Sequence, residues 1–149
     1  MEARMRKAWM MGAAMALVGC GGTESAKVIQ QGERYNDTGE LDETGPVIEH
    51  TPITTSQQYE QAVGLTATVT DAASGVSAVA AYYKRADAVE WSSVSLEPSG
   101  DLWQGSIPGT DVTGSGMNYY LEAVDVAGNT AAYPINGAAD PLYFRISAD

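Results

Sequence analysis

Val63-Gly64-Leu65-Thr66-Ala67-Thr68-Val69-Thr70 alternates apolar with small or polar residues, one for one, over eight positions. Side chains on an extended backbone point to opposite faces in turn, so Val63, Leu65, Ala67 and Val69 share one face. That period of two predicts a half-buried strand. Asp71-Ala72-Ala73-Ser74-Gly75 follows, a run of residues that bond their own backbone or tolerate positive φ, and reads as a turn. Val76 to Arg85 comes next. Its centre is apolar on both faces, as expected of a strand in the middle of a sheet.

The same rhythm extends in both directions. Upstream, Val47-Ile48 precedes His50 and Pro52 and reads as a short edge strand, and Gln57 to Ala62 has room for one helical turn at most. Downstream, Trp91 to Leu96, Leu102 to Ile107, Met117 to Asp125, Thr130 to Tyr133 and Leu142 to Ile146 are apolar or alternating. Glu97-Pro98-Ser99-Gly100, Pro108-Gly109 and Ala127-Gly128-Asn129 separate them, with a loop over residues 110–116. Seven or eight short strands spaced by turns predict an all-β fold, a single two-sheet antiparallel sandwich over residues 46–149. The expected core is Val63, Leu65, Ala67, Val69, Val79, Ala81, Tyr83, Trp103, Ile107, Tyr119, Leu121 and Ala123.

Charge narrows the partners. Residues 46–149 carry twelve acids against Lys84, Arg85 and Arg145, and the whole chain has a formal net charge of −11. Such a surface repels phosphate backbones, which excludes nucleic acid as a partner. The chain has one cysteine and one histidine, too few for an internal disulfide or a zinc centre. His50 stands in Glu49-His50-Thr51-Pro52 without a nucleophile motif and is expected at the surface of a strand. The chain is therefore not expected to be an enzyme.

The first residues read as an address. Arg4, Arg6 and Lys7 precede an apolar run from Ala8 to Val18, short of the roughly 20 residues of a membrane span, as in a signal peptide over residues 1–19. Residues 20–45 follow, rich in glycine, glutamate and threonine, with six acids after Cys20 against Lys27 and Arg34. This composition reads as a disordered, flexible acidic linker. Its pattern ends at Gly45-Pro46.

Leu17-Val18-Gly19-Cys20 resembles the lipobox of bacterial lipoproteins. The resemblance implies diacylglycerol on the Cys20 sulfur, cleavage after Gly19, and acylation of the new amino terminus. Gly21, rather than aspartate, resembles the sorting pattern of outer-membrane lipoproteins. Asp71-Ala72-Ala73-Ser74-Gly75 and Asp125-Val126-Ala127-Gly128-Asn129, in this order, resemble turns of bacterial immunoglobulin-like and fibronectin type III-like modules. That likeness implies the same sandwich over residues 46–149 and a structural, buried Tyr119 in Tyr119-Tyr120-Leu121-Glu122-Ala123. Those modules serve as spacers, adhesins and accessory domains, so the likeness implies no single function.

Two constellations remain. In the implied topology the loops after Thr70 and after Asp125 lie at one end, which would bring Asp71 and Ser74 near Asp125 and Asn129. Their oxygens, with backbone carbonyls, suit calcium, although turn geometry alone also accounts for these residue types. Otherwise no cofactor is expected. Tyr82, Trp91, Tyr120 and Tyr133 are expected to face outwards, where aromatic rings can bind a protein or stack on a sugar. The sequence thus predicts a non-enzymatic, membrane-anchored envelope lipoprotein whose β-domain is an interaction or structural module. Its alternatives are a carbohydrate- or wall-binding module and a calcium-stabilised adhesion domain. The partner would be the membrane through the lipid, and an envelope protein or glycan.

Overall fold

The computed structural model describes residues 39–148, so the signal peptide, Cys20 and the linker as far as residue 38 lie outside the described residues. The described chain is all-β. Its nine strands are β1 (Val47–Glu49), β2 (Gln57–Gln58), β3 (Val63–Thr70), β4 (Val76–Arg85), β5 (Ser92–Ser99), β6 (Leu102–Ile107), β7 (Gly116–Asp125), β8 (Thr130–Tyr133) and β9 (Leu142–Ser147). They run in the order β1-β3-β6-β5-β4-β7-β9-β2, with β8 also on β7.

This path curls into a half-barrel. The bend lies in β5. Val94, Ser95 and Leu96 pair with β4, whereas Glu97, Pro98 and Ser99 pair with β6. One strand thus joins an arm of β1, β3 and β6 to an arm of β4, β7 and β9. The buried faces of the two arms meet in one apolar cluster: Val63, Leu65, Ala67 and Val69 from β3, Val79, Ala81 and Tyr83 from β4, and Met117, Tyr119, Leu121 and Ala123 from β7. Alternation in β3 and β7 therefore does what the sequence predicts, because removing these faces from water drives the closure.

The differences are local. Eleven of the twelve expected core residues are buried; Trp103 is half-buried and packs on the edge of the cluster. Leu96, Val112, Met117 and Phe144 complete the core. The sheet is mixed rather than wholly antiparallel, since β2 pairs with β9 in parallel. Gln57 and Gln58, expected in at most a helical turn, form that short strand. Pro98 does not end β5. It stands opposite Trp103, and the chain reverses at Gly100, whose φ of 63° suits the first central position of a tight hairpin turn. Among the described residues no helix is long and apolar enough to cross a membrane.

Tyr83, at the far end of β4 from the Asp71 turn, supplies a pH-dependent contribution. Its hydroxyl donates to Asp111 Oδ2 at 2.7 Å. Burial, then the hydrogen bond to Asp111 and its charge, push the phenol up to about 12 from 10.0. Folding thus favours the neutral phenol. The contribution is complete below pH 10 and is lost as pH rises towards 12. In urea titrations, Tyr83→Phe should unfold earlier than wild type at pH 8, and the gap should narrow between pH 10 and 12. Parallel midpoint curves across that range would rule this assignment out.

Candidate metal centre

Two strand ends meet on one side of the core. At the end of β3, Asp71 Oδ1 accepts the backbone N–H groups of Ala73, Ser74 and Gly75 at 3.1, 2.8 and 2.9 Å. Gly75 closes this turn with a φ of 84°, which a residue with a Cβ rarely adopts. At the end of β7, Asp125 Oδ1 accepts the Asn129 N–H at 2.7 Å, and Oδ2 accepts Asn129 Nδ2 at 2.8 Å. The turns bond to each other: Val126 N–H donates to Gly75 O at 2.9 Å, and Ala127 N–H to Ser74 Oγ at 3.3 Å. Asp71, Ser74, Asp125 and Asn129 therefore gather at one end, from opposite arms of the curled sheet.

A third carboxylate joins them. Asp42 is 3% exposed and Asp125 1%, and oxygens of Asp42, Asp71 and Asp125 lie within 4.8 Å of one another. Asp42 Oδ1 accepts the Thr44 N–H at 3.0 Å and the Thr44 hydroxyl at 2.9 Å. Its Oδ2 is buried and has no hydrogen-bond partner. Asn129 presents its amide to this group as a donor, with Nδ2 3.0 Å from both Asp42 O and Thr44 O. Its amide N–H groups tie Asp125 to the backbone beside Asp42.

A buried acceptor without a donor costs free energy, and like charges this close repel. A cation among the three oxygens removes both costs. The donors are all oxygens, which suits a hard ion such as calcium and not zinc. Sequence reasoning missed Asp42 because it falls in an acidic stretch where any one carboxylate looks like its neighbours. The packed chain reaches back through Pro46, which is buried, to Asp42.

The aromatic group is divided. Tyr82 of β4 and Tyr120 of β7 are cross-strand partners whose rings stack at 4.9 Å and 7° on the outer face. Trp91 meets Tyr120 edge-on at 5.0 Å, and Lys84 Nζ lies 5.0 Å over the Trp91 ring. These rings cover each other and the sheet. Tyr133 departs from the expected outward position. It pairs with Leu121, packs against the core and lies 6.0 Å from His50.

His50 is likewise not a free surface residue. Half-buried beyond the end of β1, it reaches Thr66 O through Nδ1 at 2.7 Å and Tyr119 Oη through Nε2 at 3.0 Å. The Ile53 N–H also donates to Tyr119 Oη at 3.0 Å. Tyr119 is structural, as expected, and its hydroxyl serves a distant segment of backbone. Compared with known proteins, the chain matches no protein-family model and no curated protein.

Proposed function

We propose that this chain is a non-enzymatic lipoprotein of the cell envelope, anchored by lipid on Cys20 at the outer membrane, whose β-domain binds one calcium ion through Asp42, Asp71 and Asp125. The domain then serves as an interaction or structural module of the immunoglobulin-like or fibronectin type III-like kind, two sheets packed face to face. Support for that finer fold comes from the two arms, β1-β3-β6 and β4-β7-β9, and from β5 changing arms midway. Support for the anchor comes from Leu17-Val18-Gly19-Cys20 and the charged, then apolar, segment before it. Two or more acyl chains give stable anchoring where one is marginal.

The single observation that carries the calcium reading is the buried, partnerless Oδ2 of Asp42 beside two further carboxylates. Waters and backbone carbonyls would complete the six to eight oxygens calcium takes. Bound there, the ion joins the segment before β1 to both arms. A domain closed in this way is rigid, as a module presenting a surface to an envelope protein or glycan must be. The acidic surface disfavours nucleic acid.

Isothermal calorimetry of calcium into the chelator-treated full chain tests the site. One ion should bind, and Asp71→Asn should weaken it at least about tenfold, the loss of one charged ligand. An absence of heat under conditions where a control site titrates would overturn the reading. Separately, wild type made in a bacterial host should enter the detergent phase on phase separation, and Cys20→Ser should stay in the aqueous phase. Equal partitioning of both would remove the lipid anchor.

A further inference from the structure

Resting on the calcium and lipid-anchor readings above, we infer that the ion also sets where the domain begins after Cys20: with calcium bound, residues 42–46 belong to the domain, and without it they are released from it. Asp125 ends β7 and Asp71 directly follows β3, and backbone hydrogen bonds within each turn hold both carboxylates. Asp42 lies on no strand. It precedes β1, on the side of the chain that leads back to Cys20.

Residues 42–46 are held by the burial of Pro46 and by Asn129. Asn129 Nδ2 faces three acceptors, Asp42 O, Thr44 O and Asp125 Oδ2, at 3.0, 3.0 and 2.8 Å. An amide group has two hydrogens, so it cannot serve all three at full strength. Against this hold stands the repulsion of the Asp42 carboxylate by Asp71 and Asp125, which its buried, unpartnered Oδ2 does nothing to relieve. Calcium reverses the sign of that interaction. The docked path is also specific. A Cβ at Gly45 would stand 2.8 Å from Thr130 O, so only glycine lets the chain lie this close to the start of β8.

Release would stop at β1, because Val47, Ile48 and Glu49 pair with Thr70, Val69 and Thr68 of β3. Five freed residues add up to roughly 17 Å of reach at full extension. They also free the direction in which the chain leaves the domain. Calcium would thus hold the domain closer to its anchor and in a narrower range of orientations.

Hydrogen exchange of the full chain in detergent, in saturating calcium and in chelator, tests this. The Thr44 amide, which donates to Asp42 Oδ1 in the docked segment, should exchange about tenfold slower with calcium, while those of β4 and β7 change little. In Asp42→Asn this amide should exchange at one fast rate in both conditions. Calorimetry on the same samples separates the two ideas. Calcium binding with unchanged exchange at Thr44 would overturn the release inference and leave the site standing. No binding at all would overturn both.

Discussion

Saturating calcium should raise the melting temperature of the chelator-treated protein by about 10–15 °C. A ligand at a hundred times its dissociation constant adds about 2.7 kcal/mol to the folded state. For a domain of this size each kcal/mol is worth roughly 4–5 °C. The effect is large because the three carboxylates come from segments that unfolding separates, so the unfolded chain offers no comparable site. Asp71→Asn sharpens the test. The amide keeps Oδ1 as the acceptor for the N–H groups of Ala73, Ser74 and Gly75, so the turn survives. It removes one negative charge from the trio. In chelator the variant should therefore melt slightly above wild type, and in calcium well below it. This reversal of order is peculiar to a charge cluster that holds a cation. A merely structural Asp71 would make the variant equal or worse in both solutions, and identical melting with and without calcium would reject the site.

Most of this fold was legible because two of its long strands carry a period of two. β3 alternates without a break and β7 does so in burial from Met117 onwards, and every residue placed inside from these two strands is buried. Both turns of the candidate metal centre were legible for the same local reason: Asp71 and Asp125 each bond backbone within four residues. What stayed hidden depends on contacts between distant segments. Asp42 acquires its role from Asn129, 87 residues later, and nothing in Glu40-Leu41-Asp42-Glu43-Thr44 singles it out. Tyr133 was misplaced because β8 has only four residues, too few for a period to fix which face is inside. His50 read as a surface residue because the strand before it ends at Glu49, and only the curl of the sheet brings it against β7.

That curl makes one hydroxyl unusually consequential. Tyr119→Phe is expected to cost about 2 kcal/mol, a fall of roughly 8–10 °C in melting temperature. The ring is fully buried and rests against Phe144 at 5.7 Å, so phenylalanine keeps the packing and only the oxygen is lost. Thr66 O can only accept, which makes His50 Nδ1 the protonated nitrogen of the neutral ring and leaves Nε2 to accept from Tyr119. The hydroxyl thus donates to His50 and accepts from the Ile53 N–H, and each of these groups has its partner. Removing it orphans one donor and one acceptor, each half-buried, which places the cost near the lower end for two unsatisfied groups. His50 and Ile53 follow β1, whereas Tyr119 stands on β7, so these two bonds fasten one arm to the other. Tyr83→Phe should cost less at neutral pH, because its acceptor, Asp111, is exposed and water can replace the phenol. Urea unfolding of both variants checks the ranking. A loss below about 0.5 kcal/mol for Tyr119→Phe, within the range of ordinary surface changes, would show that the arms are held by apolar packing without this bridge.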